Sequence, residues 1–240
     1  MTNIVLLDNV DHADLRVAQG YGPAFGDAIN QARVFPTELE ALQREYPILF
    51  RRDATGELQA VVLLGLDRDE NLFLADGGWS ARYVPAIQRR GPFSIRVETD
   101  PGSGAQDLKI NVDLDHPRVT PDEGEPVFRR HGGATPYLDA VSLTLQTLYD
   151  GVEASEPMFQ AFSDAGLIEA VAISITVGEA MRYDLEDFHA ISRERLAALD
   201  GAALERLHRA GWLATAFHAA SSLANIERLI EMKNRKEGWA

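Results

Sequence analysis

The sequence contains no cysteine, which excludes disulfide bonds, thiolate metal sites and a cysteine nucleophile. It also lacks an apolar run of the roughly 18 residues that a membrane-spanning helix needs, which argues against a permease. Positive charge is scarce, since 23 lysines and arginines face 37 aspartates and glutamates for a formal net charge of −14. That charge repels nucleic-acid phosphates and anionic lipids. We therefore expect a soluble, cytoplasmic protein with no nucleic-acid partner and no membrane insertion.

The segment Met1–Leu15 has neither a basic leader nor a small-residue cleavage pattern, so we do not expect a signal peptide. With 240 residues, 45% of them hydrophobic, the chain can bury one large core or two modest ones without covalent staples.

Familiar catalytic motifs are missing as well: there is no HExxH, Walker loop, GxGxxG or Ser-His-Asp order. One weak metal pattern exists. His12 and Asp14 have the H-x-D spacing of a facial-triad iron site, for which His116, His131 or His189 could supply the third ligand. Only one short strand precedes this pair, whereas a double-stranded β-helix places several strands there, so we favour an exposed turn. We expect no catalytic residues and no cofactor.

A patterned stretch runs from Glu70 to Phe93. Half of its pattern, E-x-(L/V)-F-x-x-x-G-G-x-(S/T), recurs from Glu125 to Thr135, so each copy carries a glycine pair, Gly77-Gly78 and Gly132-Gly133. We expect each pair to precede a helix N-cap, where glycine supplies positive φ in a turn or leaves backbone amides free for an anion.

Prolines, glycines and apolar runs predict three successions of helix, hairpin and strand, beginning near Pro36, Pro85 and Pro157. A short strand is predicted at 71–74, and an added helix at 135–151. The fold class is therefore α+β, with mostly antiparallel sheet built from repeated helix-hairpin-strand units and a C-terminal helical segment. Residues 36–83 and 85–137 are candidate internal repeats, with 157–192 as a weaker third, although helix-hairpin successions are also common without duplication.

The C-terminal segment, residues 192–240, reads as helices packed on the 1–191 body, so that the chain forms one compact unit. Ser192 and Asp200 are predicted N-caps, and Gly211 precedes a long amphipathic helix from Leu213 to Ile230 that includes Phe217. Its apolar stripe fits either internal packing or a homodimer.

The best binding candidate lies within the patterned stretch. Three arginines and two aromatic residues gather there in an otherwise acidic chain, next to the first glycine pair: Trp79, Arg82, Tyr83, Arg89, Arg90, Gly77 and Gly78. Guanidinium groups pair with carboxylates and stack on aromatic rings, which suits a peptide-like or acidic partner. The competing interpretation is structural, with the aromatic residues in the core and the arginines in surface ion pairs.

Several segments resemble the bacterial SapC family, and they span nearly the whole chain: HADLRV (12–17), YPILF (46–50), NLFLADGGWSARYVPAIQRRGPF (71–93), TPYLDA (135–140) and LHRAGWLATAFHAASSLANIERL (207–229). The sequence departs from the family at Gly91, where an aromatic residue is more usual, and in the strand after Gly166, where Ala170–Ile173 replace a tryptophan and an aspartate.

The family's name comes from a locus tied to an S-layer array, and members lie near genes for flavin halogenase-like proteins, cupin-like oxygenase-like proteins and outer-membrane receptors. The resemblance implies no mechanism. Some members are labelled peptide-transport permeases, which the lack of a long apolar run contradicts. We expect a non-catalytic soluble binding or accessory protein that acts with a protein or peptide-like partner. The alternative is an iron-dependent oxygenase-type enzyme using His12 and Asp14.

Overall fold

The computed structural model describes residues 3–75, 78–99, 102, 104, 106–178 and 181–239. Its strands are β1 (Ile4–Leu6), β2 (Arg16–Val17), β3 (Gln31–Val34), β4 (Ile48–Arg52), β5 (Leu58–Leu63), β6 (Leu74–Ala75), β7 (Gly78–Trp79), β8 (Phe93–Thr99), β9 (Gln106–Asp113), β10 (Val119–Thr120), β11 (Glu125–Pro126), β12 (Ile168–Val177) and β13 (Met181–Ile191). Its helices are α1 (Leu39–Leu42), α2 (Ala86–Arg89), α3 (Pro136–Asp164), α4 (Arg193–Ala197), α5 (Gly201–Arg209), α6 (Leu213–Ser222) and α7 (Asn225–Glu237). Short 3-10 helices occupy Pro23–Phe25 and Pro36–Glu38.

Every pairing between described strands is antiparallel, which confirms the predicted α+β class. The largest sheet has the order β12-β13-β4-β5-β3; a second has the order β1-β9-β8, a small third has the order β10-β2-β11, and β6 pairs with β7. No helix in the described part of the chain is both long and apolar enough to cross a bilayer.

Two hydrophobic cores lie side by side. The larger joins the five-stranded sheet to α1 and the C-terminal helices, and the smaller joins β8 and β9 to the N-terminal half of α3. Helix α3 spans both, since Leu145 is buried in the smaller core and Phe162 in the larger one. Gly151 lies between them and allows a close approach, because a Cβ there would stand 2.5 Å from Phe35 Cβ.

The predicted hairpins are confirmed: β4–β5, β8–β9 and β12–β13 each follow a helix. The turn between β4 and β5 shows the local cause. Asp53 Oδ1 accepts hydrogen bonds from Thr55 N–H and Glu57 N–H, and Gly56 adopts a φ of +90° that other residues rarely tolerate. A duplication behind the three helix-hairpin successions stays a prediction.

The prediction that Pro157 opens a helix is wrong, because α3 runs without a break from Pro136 to Asp164 with Pro157 inside it. The predicted start at Thr135 is correct, since the Thr135 hydroxyl accepts the Leu138 N–H as an N-cap. Apolar burial on both sides of Pro157 outweighs the one hydrogen bond that proline cannot make.

The glycine-pair prediction holds only for the second copy. Gly78 pairs with Ala75 in the β6–β7 hairpin, and α2 begins later with Pro85 at its N-cap position. The strand near 71–74 is shifted to Leu74–Ala75. Gly77 lies outside the described residues.

The single long helix predicted from Leu213 to Ile230 is instead two helices, α6 and α7, with a break between Ser222 and Asn225. Both belong to the larger core, and Ala216, Ala220 and Leu229 are among their buried residues. Phe217, which the stripe placed on the apolar face, is 51% exposed. The stripe therefore packs mainly through small side chains on α6.

Candidate functional site

A cleft of about 420 Å³ lies where the segment after β7 meets α1 and α7. We call it the arginine cleft; its lining residues are Ala41, Arg44, Glu45, Arg82, Tyr83 and Arg228. Three arginines and one glutamate give it an excess of two positive charges in a chain of net charge −14. Of the predicted binding residues, Arg82 and Tyr83 are the two that line it.

Glu45 organises the cleft from the turn that follows α1. Its Oε2 accepts the Arg82 backbone N–H at 2.8 Å, and its Oε1 accepts Arg228 Nη1 at 3.3 Å. The Asn225 side chain ties α7 to the same turn by donating to the carbonyls of Gln43 and Tyr46. Because Glu45 holds Arg82 by its backbone, the Arg82 side chain is left to reach into solvent.

The Arg82 guanidinium forms no hydrogen bond or ion pair with any residue that the structure describes, and the residue is exposed. Arg44 is also largely available, since its contact to Glu40 is 3.5 Å long and both side chains are about two-thirds exposed or more. Such exposed pairs contribute little stability. Two of the three guanidinium groups can therefore bind an added carboxylate without breaking a strong internal contact.

Tyr83 is fixed by a buried carboxylate below the cleft. Its hydroxyl donates to Glu38 Oε1 and accepts Arg89 Nη2, while the Arg89 guanidinium lies 4.6 Å from the ring centroid. Burial, followed by the neighbouring Glu38 carboxylate, raises the pKa of Tyr83, so the hydroxyl remains a donor. Burial also raises the pKa of Glu38, against hydrogen bonds from Ala86 N–H and the Tyr83 hydroxyl that lower it. Arg89 therefore holds the Tyr83 side chain in position on the side away from the cleft.

Trp79 also helps to fix the position of Tyr83. Its Nε1 donates to the Tyr46 hydroxyl at 2.7 Å, and that hydroxyl donates to the Tyr83 carbonyl at 2.6 Å. The Trp79 ring is half-buried and packs edge-on against Tyr21. Because this chain of contacts ends on the Tyr83 backbone, Trp79 fixes the position of the cleft wall from behind.

Arg90 points away from the cleft, and its Nη1 donates to the Phe93 carbonyl at 2.9 Å. Burial lowers the pKa of Arg90. Gly78 stays in the β6–β7 hairpin. The structure therefore divides the predicted cluster into two cleft residues, Arg82 and Tyr83, and a supporting group behind them.

Sequence reasoning missed Arg44, Glu45 and Arg228. No local signal identifies them, because Arg228 and Glu45 are 183 positions apart in the sequence. It also missed the buried pair of Arg118 and Asp27, whose atoms approach to 2.9 Å, with the Arg118 guanidinium over the Tyr21 ring.

A second cleft of about 410 Å³ lies beside β13, lined by Gln31, Arg51, Arg52, Glu186, Asp187, Phe188 and His189. Two arginines there face two carboxylates, so its formal charge is balanced. A bulge in β13 opposite Val171–Ile173 lies beside this cleft, and Asp187, which lines the cleft, has a φ of +64°. Its mixed charge gives no preference for an acidic ligand, unlike the arginine cleft.

The alternative iron site is not assembled. Across the described residues, no three histidine, aspartate or glutamate side chains stand close enough to share a metal ion. His12 Nδ1 instead accepts the Asp8 N–H at 3.0 Å and closes a turn, while Asp14 is exposed. Among the described residues, His12 and Asp14 therefore do not belong to a group of three side chains that could hold a metal ion.

The sequence profile of the SapC family matches residues 7–229 of the 240. Comparison with curated proteins and with solved structures found no match. The matched range includes every fully buried residue of both cores and every residue that lines the arginine cleft. It covers more than nine-tenths of the chain and confirms the resemblance seen in its motifs, and the protein accordingly belongs to the SapC family.

Proposed function

We propose that this protein is a non-catalytic binding protein that acts in the bacterial cytoplasm as an accessory to a protein or peptide-like partner. The observation that carries the proposal is the Arg82 guanidinium, which has no partner among the described residues and lies in a cleft with excess positive charge. The partner would present an acidic segment to this cleft.

The chemistry favours carboxylates over other groups. A guanidinium fork can donate two parallel hydrogen bonds to one carboxylate, and such charge-assisted bonds are stronger than neutral ones. Arg44 and Arg82 supply two forks with little internal competition, and the half-buried Tyr83 adds an aromatic surface. Glu45 already accepts a hydrogen bond from the Arg228 guanidinium, so we assign Arg228 a secondary role in binding the partner.

The remaining predicted residues act behind the contact surface. Arg89 and Trp79 hold Tyr83 in place through its hydroxyl and its carbonyl, respectively, the latter by way of Tyr46. We propose that Arg89 and Trp79 position the site, whereas Arg82 and Tyr83 contact the partner. Arg90 and Gly78 maintain the local fold.

Fluorescence anisotropy with a labelled glutamate-rich peptide tests the proposal. We expect wild-type protein to bind this peptide, to bind a lysine-rich peptide of equal length far more weakly, and to release the acidic peptide as salt rises. Arg82→Ala should weaken binding about tenfold, the equivalent of roughly 1.4 kcal/mol.

Arg209→Ala is the matched control, because Arg209 is 77% exposed on α5 and carries the same charge outside the cleft. It should leave the affinity within a factor of about two, in keeping with the small effect of distant surface charges. Equal loss in both variants would show non-specific attraction, and unchanged binding by Arg82→Ala would refute the site.

A further inference from the structure

Strand β12 forms one edge of the five-stranded sheet and is ten residues long. At about 3.3 Å per residue it offers an edge of roughly 33 Å. The opposite edge strand, β3, has only four residues and carries the exposed, charged Arg33. The two edges therefore differ in length and in protection.

The hydrogen bonds at the start of β12 show which backbone groups face outward. Leu167 C=O accepts the Ser192 N–H on the β13 side, and the next carbonyl, Ile168 C=O, accepts Arg195 Nη1 instead. In an antiparallel strand these directions alternate. The outward residues are then Ala170, Ala172, Ser174 and Thr176.

By this alternation the backbone groups of these four residues point away from β13, and outside the strand pairings they form no backbone hydrogen bond with a described residue. Their side chains are exposed, small and uncharged, and residues 170–177 (AVAISITV) contain no proline and no charge. Edge strands are ordinarily protected by lysine, proline, short length or a covering segment. Helix α7 packs against β12, but α7 does not supply hydrogen bonds to its outward backbone.

We propose that β12 is a homodimerisation edge, on which β12 of a second copy pairs antiparallel about a two-fold axis. A two-fold pairing brings the same strand of two copies together, so charges close to the axis would lie near like charges of the second copy. The neutral run 170–177 meets this requirement in a protein of net charge −14. A foreign peptide would need side-chain pockets beside the edge, and neither the arginine cleft nor the cleft beside β13 is lined by a β12 residue.

A register centred on Ile173 lets the outward backbone groups of the two copies hydrogen-bond to each other. It pairs Ala172 with Ser174 and Ala170 with Thr176 of the second copy, so outward backbone groups meet outward backbone groups. Ile173 lies opposite its own copy at the axis, and because it is half-buried in one chain, the contact would cover its remaining apolar surface. The two five-stranded sheets would then form one continuous sheet.

Light scattering coupled to size exclusion tests this directly. We expect a mass of twice 26.4 kDa at high protein concentration, with a dimer fraction that rises with salt because screening reduces the repulsion between two acidic chains. Ala172→Lys should raise the dissociation constant at least tenfold. Backbone amide exchange at Ala172 and Ser174 should slow in the dimer.

Ala214→Lys is the matched control, since Ala214 is exposed on α6 and gains the same charge. It should dimerise like wild type. Circular dichroism establishes that both variants are folded, and amide exchange in wild-type protein tests the edge without any substitution. A monomer at the highest soluble concentration, a dimer lost in Ala214→Lys but kept in Ala172→Lys, or open-ended assembly would each overturn the proposal.

Discussion

Lys233 is a buried cation with three carboxylate partners. Its ammonium lies 2.7 Å from Asp67, 2.8 Å from Glu70 and 2.8 Å from Glu237, and its side chain is 2% exposed. Glu70 also accepts hydrogen bonds from Leu66 N–H and Asp67 N–H. The cluster fastens α7 to the loop that follows β5.

Replacing Lys233 with methionine should lower the free energy of unfolding by about 3–5 kcal/mol. The change removes one partner and leaves the buried Glu70 carboxylate without its inner cation, and breaking a buried ion pair in this way costs that much. Denaturant unfolding followed by circular dichroism measures the loss.

Lys236→Met is the control for Lys233→Met. Lys236 bonds the same Glu70 oxygen but is 56% exposed, so its loss should cost no more than about 1 kcal/mol. Equal losses in the two variants would contradict the assignment of Lys233 as the principal partner.

At the level of single residues, the sequence predicted Arg82 and Tyr83 as binding candidates from local composition alone. It did not predict the partners of Lys233, because Lys233 and Glu70 are 163 positions apart and nothing local links them. The exposure of Phe217 was also unpredictable from spacing. Helical periodicity defines a face, but it does not define which residue of that face the sheet covers.

Among the elements, α3 approaches the segment around Phe35 closely at Gly151. A Cβ on this residue would stand 2.5 Å from Phe35 Cβ and 2.7 Å from Thr37 Oγ1. Gly151→Ala should therefore destabilise the fold by about 1–3 kcal/mol through overpacking, although alanine favours a helix over glycine by about 1 kcal/mol.

Gly201→Ala provides the comparison for Gly151→Ala, because Gly201 begins α5 and nothing lies within 4 Å of the added Cβ. It should be neutral or slightly stabilising. Thermal unfolding of both variants measures the difference, and a Gly151→Ala protein as stable as wild type would show that α3 does not approach residues 35–37 closely.

The hairpins and most helix starts were predictable, because turn residues and N-caps act locally. Asp53 with Gly56, Thr135 and Asp200 each produce the turn or cap that their residue types favour. The continuity of α3 through Pro157 was not predictable, since a local rule for proline was outweighed by burial against two separate cores.

For the molecule as a whole, the buried Glu70 cluster predicts acid sensitivity. Burial alone raises the pKa of Glu70, but hydrogen bonds from Lys233 and Lys236 outweigh it and lower the pKa from 4.5 to about 2. A carboxyl with a lowered pKa stabilises the fold at pH values above its unfolded pKa, and this contribution is lost as pH falls from 4.5 towards 2.

We therefore expect the melting temperature to fall steeply as pH decreases through this window. Glu70→Gln should start from a lower melting temperature and show a shallower decline, because its amide does not titrate. Calorimetry from near neutral pH down to about pH 2 measures both slopes. Parallel curves would mean that Glu70 does not control the acid transition.

The α+β class followed from the sequence because strand and helix patterns add up over the whole chain. The division into two cores joined by α3 did not, since it depends on which distant segments meet. The arginine cleft was not predictable from the sequence for the same reason, because α1, the segment after β7 and α7 are distant in the chain and each supply part of it.

The central claim is that the arginine cleft binds an acidic segment. Nuclear magnetic resonance of arginine side-chain Nε–H groups, recorded while a glutamate-rich peptide is titrated into wild-type protein, tests it most directly. We predict that the Arg82 and Arg44 signals shift and saturate together, with a smaller change at Arg228, while Arg182 and Arg209 stay unchanged. Unshifted Arg82 and Arg44 signals at saturating peptide, or equal shifts at all five arginines, would contradict the claim.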